Sequence, residues 1–220
     1  MTFHFLTIFP KIFDSYLNEG ILARARKKKI VRYKIHNLRD WTYDRHRSVD
    51  DSPYGGGAGM LMKVKPIYLA LKDLEKASRT PAPKRRIILL AADGKKWTQA
   101  WARRYARLKE IVFVCGRYEG VDERAKKFVD ETISVGDYVL TGGELPALAI
   151  TDSIVRLLPG VLGNRASLSE ESHGVNGLGE YPQYTRPEIF LAGRKKYAVP
   201  KILLTGDPKK IRAWREKHRK

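Results

Sequence analysis

Three stretches combine glycine with small or polar residues directly after apolar runs. They are Ala91-Ala92-Asp93-Gly94, Gly116-Arg117-Tyr118-Glu119-Gly120, and a longer one from Gly136 that ends Thr141-Gly142-Gly143-Glu144-Leu145-Pro146. In an open α/β sheet, ligands collect at the carboxyl ends of the strands. Glycine there lets the backbone approach a flat ligand closely. The spacing is neither G-x-G-x-x-G nor G-x-x-x-x-G-K-[ST], which excludes a dinucleotide fingerprint and a P-loop. Arg117 is the only cation in these loops, too few for a triphosphate. A ligand with a purine, a ribose and a neutral or positive charge fits better. Three tight turns without a ligand are the alternative.

A fourth cluster, Tyr54-Gly55-Gly56-Gly57-Ala58-Gly59-Met60, follows His46-Arg47-Ser48-Val49-Asp50-Asp51. A glycine loop beside basic and aromatic residues could grip an RNA backbone, or it is a long surface loop. The single cysteine, Cys115, excludes an internal disulfide and a Cys-rich zinc site. That suits a reduced, cytoplasmic protein.

The elements that must position these loops alternate. Residues 3–9 and 111–115 form short apolar strands, and 87–92 is a fully apolar one, as in the middle of a parallel sheet. Residues 30–36 alternate apolar with basic and predict a strand with one wet face. Residues 132–135 add a short strand. Helices are expected over 12–17, 22–28, 66–76, 97–108, 121–128 and 144–158. This is an α/β pattern with a mostly parallel sheet. After residue 162 serine, glycine, glutamate and asparagine dominate. A last helix opens with Asp207 as N-cap and Pro208 at its first position, with Ile211, Trp214 and His218 on one face. The expected division is 1–162 as the α/β domain and 163–220 as a linker plus a small basic helical domain.

The chain carries 43 Lys+Arg against 24 Asp+Glu, a net charge of +19 over 220 residues. The excess is uneven. Residues 51–109 have net charge +10 and 186–220 have +9, whereas 110–160 have −4. A polyanionic partner, nucleic acid above all, explains the basic flanks. The −4 stretch is either simply buried or spared for another purpose. The longest apolar run, 87–92, is far below the roughly 18 residues of a membrane span. The start, MTFHFLTIFPK, has no basic region and no cleavage site, so no export signal is expected.

Five segments are more specific: FPKIF (9–13), HRSVDDSPYGGGAGMLM (46–62), CGRYEGVDER (115–124), SVGDYVLTGGELPALAITDSIVRLLPGVLG (134–163) and PQYTRPEIF (182–190). In this order, and over nearly the whole chain, they resemble the bacterial tRNA (guanine-N1)-methyltransferases of the SPOUT class. The resemblance implies a deep trefoil knot, against the general rule that chains avoid knots. It implies a homodimer with active sites at the subunit interface, and bound S-adenosyl-L-methionine. The implied reaction methylates N1 of the guanosine immediately 3′ of the anticodon in tRNA. Carried over by position, the cofactor contacts are Leu89, Leu90, Ala91, Ala92, Gly116, Tyr118, Glu119, Gly120, Val135, Gly136, Asp137, Tyr138, Val139, Leu140, Gly142, Gly143 and Pro146. No metal is implied.

Guanine N1 bears a proton at neutral pH, so transfer needs a base to remove it and a cation to stabilise the charge growing on O6. The family's arginine for that purpose corresponds to Arg156, and its base corresponds to Glu171 within Glu170-Glu171-Ser172-His173. The family has aspartate where this chain has Glu171, and again where it has Glu180. The longer side chain shifts the carboxylate by about 1.5 Å, which makes His173 an alternative base. Two other functions compete. One is a SPOUT methyltransferase acting at another RNA position. The other is an RNA-binding relative without catalysis, motivated by the two glutamates and an end at Lys220 earlier than the family's usual one.

Overall fold

A strand buried on both faces is mainly apolar, and two strands here are buried at every residue, β1 (Thr2–Thr7) and β6 (Glu110–Cys115), with Thr2, His4, Thr7 and Glu110 as their polar members. The computed structural model describes residues 1–162 and 180–219. Glu171 and His173 lie outside the described residues. In chain order the first unit, Met1–Gly163, contains β1, α1 (Ile12–Leu17), α2 (Gly20–Lys27), β2 (Arg32–Asn37), β3 (Asp50–Asp51), β4 (Leu61–Met62), α3 (Val64–Ala77), β5 (Arg85–Lys96), α4 (Gln99–Tyr105), β6, β7 (Glu131–Ser134) and α5 (Glu144–Val155). Five strands form one parallel sheet in the order β2-β1-β6-β5-β7. β3 and β4 pair separately as a short antiparallel ladder.

Side chains alternate between the two faces of the sheet, as the pleat requires. Phe3, Phe5, Ile88, Leu90, Ile111, Phe113 and Cys115 pack with residues of α1, α2, α4 and α5. Within that layer the Phe5 ring lies 4.5 Å from Phe13 and 5.5 Å from Phe113. Leu6, Leu89, Val112 and Val114 pack on the other face against Ile67, Ala70 and Leu71 of α3. Each large apolar side chain buried this way contributes about 1.5–3 kcal/mol. At the edge, β2 exposes Arg32 and Lys34, the wet face expected from its alternation.

Element ends differ from expectation for local reasons. α3 begins two residues before Pro66, since proline is tolerated in a first turn whose N–H groups lack partners anyway. α4 begins at Gln99 because the Trp97 N–H is taken by Ser134 O at 2.8 Å, while Thr98 caps the helix. α5 stops at Val155, and the N–H groups of Leu157 and Leu158 turn to the carbonyls of Ile154 and Val155, both at 3.0 Å, tightening the end. The segment after Val121 is a 3-10 turn, Glu123–Phe128.

The largest departure is β5, which continues to Lys96. Its pairing with β7 runs to Leu90 opposite Ile133, then slips so that Lys95 faces Ile133 too. Ala91 to Gly94 are looped out between. A Cβ on Gly94 would stand 2.6 Å from the backbone of Ile133, so only glycine permits this crossing.

In the second unit, Asn164–Lys220, the described residues form β8 (Ile189–Ala192), β9 (Lys195–Ala198), a 3-10 turn (Lys201–Leu204) and α6 (Pro208–Lys217). Asp207 caps α6 as expected, accepting from the N–H groups of Lys209 and Lys210 at 3.0 and 3.2 Å. Trp214 and His218 stack at 4.2 Å. The antiparallel β8–β9 hairpin was not expected: the unit is not helical alone. Four-residue strands leave little periodicity to read.

Candidate cofactor and substrate site

The three glycine-bearing loops meet at the carboxyl ends of β5, β6 and β7 and enclose a cavity of about 420 Å³. Leu89, Leu90, Ala91 and Ala92 form one wall. Gly116, Tyr118, Glu119 and Gly120 form the second. Val135, Tyr138, Val139, Leu140, Gly142, Gly143 and Pro146 form the third. Two expected residues stand outside this lining. Gly136 acts one step back: a Cβ there would lie 2.5 Å from the Tyr138 ring, so the glycine makes room for that side chain. Asp137 is exposed and ion-paired with Lys96.

Close backbone approach builds the cavity floor. The Gly143 N–H donates to Gly116 O at 2.8 Å. A Cβ on Gly143 would stand 2.8 Å from Cys115 Cα and 2.9 Å from Gly116 N. The start of α5 is thereby pressed onto the end of β6. Cys115 is fully buried beneath it, and burial raises its thiol pKa well above the ordinary value, which removes it as a nucleophile.

The rim is charged. Lys126 bridges Asp93 at 2.9 Å and Glu123 at 3.0 Å, and these hydrogen-bonded partners raise its pKa. It ties the first loop to the 3-10 turn. Asp93, Arg117, Glu123, Lys126, Ser134 and Thr141 also line the cavity. Of these, Asp93, Arg117 and Thr141 lie in the three glycine-bearing loops, and Ser134 opens the segment 134–163. Glu123 closes the segment 115–124, whereas Lys126 sits in a polar stretch that carries no motif.

The glycine cluster 54–60 belongs to the same neighbourhood. The Glu119 N–H donates to Met60 O at 3.1 Å, and the Met62 N–H donates to Gly120 O at 3.0 Å. A Cβ on Gly59 would fall 2.4 Å from Glu119 Cγ. Tyr118 holds a left-handed φ of 60°. Its hydroxyl pKa is raised, first by burial and then by Asp50, to which it is hydrogen-bonded. Two loops that the sequence separates by more than fifty residues are thus joined by backbone hydrogen bonds.

Arg156 is placed differently. It is the C-cap of α5, half-buried beside Asp152. Burial raises the Asp152 pKa, and the arginine opposes that rise. Pro146 lies in the first turn of the same helix, so ten residues separate the two, roughly 15 Å along the axis. Arg156 therefore does not line the cavity of its own chain. Glu180 is exposed and belongs to the second unit.

Fold and cavity define the class: a parallel α/β domain with a backbone-rich cavity at its strand ends. The family model described as tRNA (Guanine-1)-methyltransferase TrmD matches residues 1–220, and the chain belongs to that family. It is 47% identical over 220 residues to a tRNA (guanine-N(1)-)-methyltransferase of Staphylococcus carnosus, covering 100% of this chain and 86% of that protein. It is 49% identical over 212 residues to the protein of the same name from Dictyoglomus turgidum, covering 96% and 82%. Among solved structures it is similar to the tRNA (m1G37) methyltransferase from Aquifex aeolicus, with TM-score 0.79 and 38% identity, covering 97% of this chain and 87% of that one.

Proposed function

We propose that the protein transfers a methyl group from S-adenosyl-L-methionine to N1 of guanosine 37, immediately 3′ of the tRNA anticodon. The observation that carries this reading is the cavity itself: a backbone-rich, glycine-floored space at three strand ends, in a chain of the TrmD family. The residues fit the donor. Leu89, Leu90, Leu140 and Pro146 offer apolar surface for adenine, and the loop N–H and C=O groups offer hydrogen bonds. Glu119, Glu123 and Asp93 suit a sulfonium. When bound, the donor supplies an electrophilic methyl group.

The chain's own residues do the rest. Glu171 takes the N1 proton, with His173 as the alternative base. Arg156 stabilises the charge developing on O6. Because Arg156 stands at the far end of α5 from the cavity, we assign it to the cavity of a second copy in a homodimer. Exposed apolar side chains support that pairing: Phe9, Ile12 and Tyr16 near α1 and Leu145 at the start of α5. The knot fits the close crossings at Gly94 and Gly143. The basic N-terminal and C-terminal stretches bind tRNA, and residues 164–220 serve that binding. Among the described residues no helix is long and apolar enough to cross a membrane, in keeping with a cytoplasmic site of action.

The test is methyl transfer to tRNA transcripts, with nucleoside mass spectrometry. N1-methylguanosine is expected from a transcript with guanosine 37 and no product when that base is adenosine. Methylation of both transcripts, or of neither, would overturn the assignment. Glu171→Ala is expected to lower turnover by about 10²–10⁴-fold with donor affinity intact.

A further inference from the structure

Glu144 is 1% exposed, in the first turn of α5, and the reaction makes no use of it. A buried carboxylate is a poor source of stability, because an apolar residue of similar volume often does as well. Its partners show what it does instead. Oε1 accepts from Thr7 Oγ1 at 2.6 Å, and Oε2 accepts from Arg117 Nε at 2.8 Å. Arg117 Nη1 donates to Thr141 O at 3.2 Å, and its guanidinium lies 4.7 Å from the Phe9 ring centre. Arg117 also bridges Gly142 through the backbone. A Cβ on Gly142 would stand 2.2 Å from Arg117 Nε, so the glycine opens the passage for this arm. The end of β1, the second cavity loop and the third cavity loop are therefore fastened to one carboxylate.

We infer that Glu144 is a positioning residue of the methyl-donor site, acting through Arg117. It locks loop 116–120 against loop 141–143, which fixes the spacing at which their backbone groups meet the ligand. Arg117 leaves the loop at Gly116 and is followed by Tyr118 in its left-handed conformation, so its anchor also sets the path of Tyr118 and Glu119. The inference rests on the methyltransferase reading above.

Calorimetric titration with S-adenosyl-L-methionine, alongside turnover on tRNA transcripts, tests it on the full chain. Glu144→Gln sets an amide N–H or a weaker acceptor against Arg117. It is expected to raise the donor Kd by about 10- to 100-fold, the loss of a charged hydrogen bond, with a smaller change in kcat at saturating donor. In an Arg117→Gln background the same substitution is expected to change the donor Kd no further. An unchanged donor Kd in Glu144→Gln, or equal effects in both backgrounds, overturns the inference. Should Glu144→Gln fail to fold, Gly142→Ala displaces Arg117 while keeping Glu144. It must weaken donor binding likewise, and parent-like affinity there overturns the inference. A parent protein that binds no donor and methylates no transcript overturns the methyltransferase reading itself, a result separate from any of these.

Discussion

At Gly142 and Gly143 a Cβ would stand 2.2 Å from Arg117 Nε and 2.8 Å from Cys115 Cα. At Gly55 and Gly56 it would meet nothing within 4 Å, and those residues hold φ values of +84° and +80°. The first pair is glycine because other atoms need the space. The second pair is glycine because the backbone is left-handed. The same residue type thus marks a packed floor in one place and an open, turning arm in the other. Charge is unevenly spread as well. The stretch 110–160, which supplies two of the cavity loops, has net charge −4; the stretch 51–109, which holds the uncharged arm 54–60 and the first cavity loop, has +10. On the proposed function, the cavity suits a small cationic donor and the basic flanks suit tRNA.

The division breaks first, if it breaks, on salt. With 6–10 phosphate contacts, tRNA affinity is expected to fall by about 10³–10⁵ between 50 and 200 mM salt. Donor affinity, governed by groups within the cavity, is expected to change by less than about twofold. Filter binding and calorimetry across the same salt series check this, and parallel slopes would dissolve the distinction. The next effect contrasts the two kinds of glycine. Gly143→Ala is expected to destabilise the fold by about 3 kcal/mol through overpacking against backbone and to abolish donor binding. Gly56→Ala is expected to cost about 1 kcal/mol of left-handed strain and to leave the donor Kd as it was. Chemical denaturation together with donor titration measures both.

The smallest effect lies away from both regions, on β1 and β2. His4 Nδ1 and His36 Nε2 stand 3.0 Å apart, with their rings stacked at 5.2 Å. Burial, then His36, Lys34 and Arg85, lower the His4 pKa to about 4 against the opposing pull of Glu110. The His36 pKa is lowered too, mainly by burial. The unfolded chain takes up these protons first, near pH 6.5, so stability falls as pH drops from there toward 4. The loss expected from the pair is on the order of 2 kcal/mol. His36→Phe should shrink it, which thermal melts at pH 7 and pH 4.5 would show. An identical acid-side loss in parent and variant would contradict this.

Much of the fold was legible because buried parallel strands announce themselves: 87–92 and 111–115 are apolar without interruption. The continuation of β5 to Lys96 was not legible, because the Asp93-Gly94-Lys95-Lys96 stretch is polar and its second pairing with β7 depends on a backbone crossing at Gly94. The β8–β9 hairpin was hidden by strands of only four residues. The three loops could be read from glycine at strand ends, but the lysine that ties their rim could not. Lys126 comes from a turn, Glu123–Phe128, whose sequence resembles any solvated surface. The fastening of the 54–60 cluster to Glu119 and Gly120 is a tertiary pairing with no local signal at all.

The claim most open to direct trial is that each cavity works with Arg156 of a second copy. Two inactive variants decide it: Leu140→Trp, which fills the cavity, and Arg156→Ala, which removes the cation. Refolded together, they form mixed dimers in which one site combines an intact cavity with an intact arginine. Methyl transfer to tRNA is then expected to return to about a quarter of the parent's level, the statistical share of intact sites in a two-fold assembly. If the mixture stays as inactive as either variant alone, Arg156 serves its own chain and the shared site is wrong.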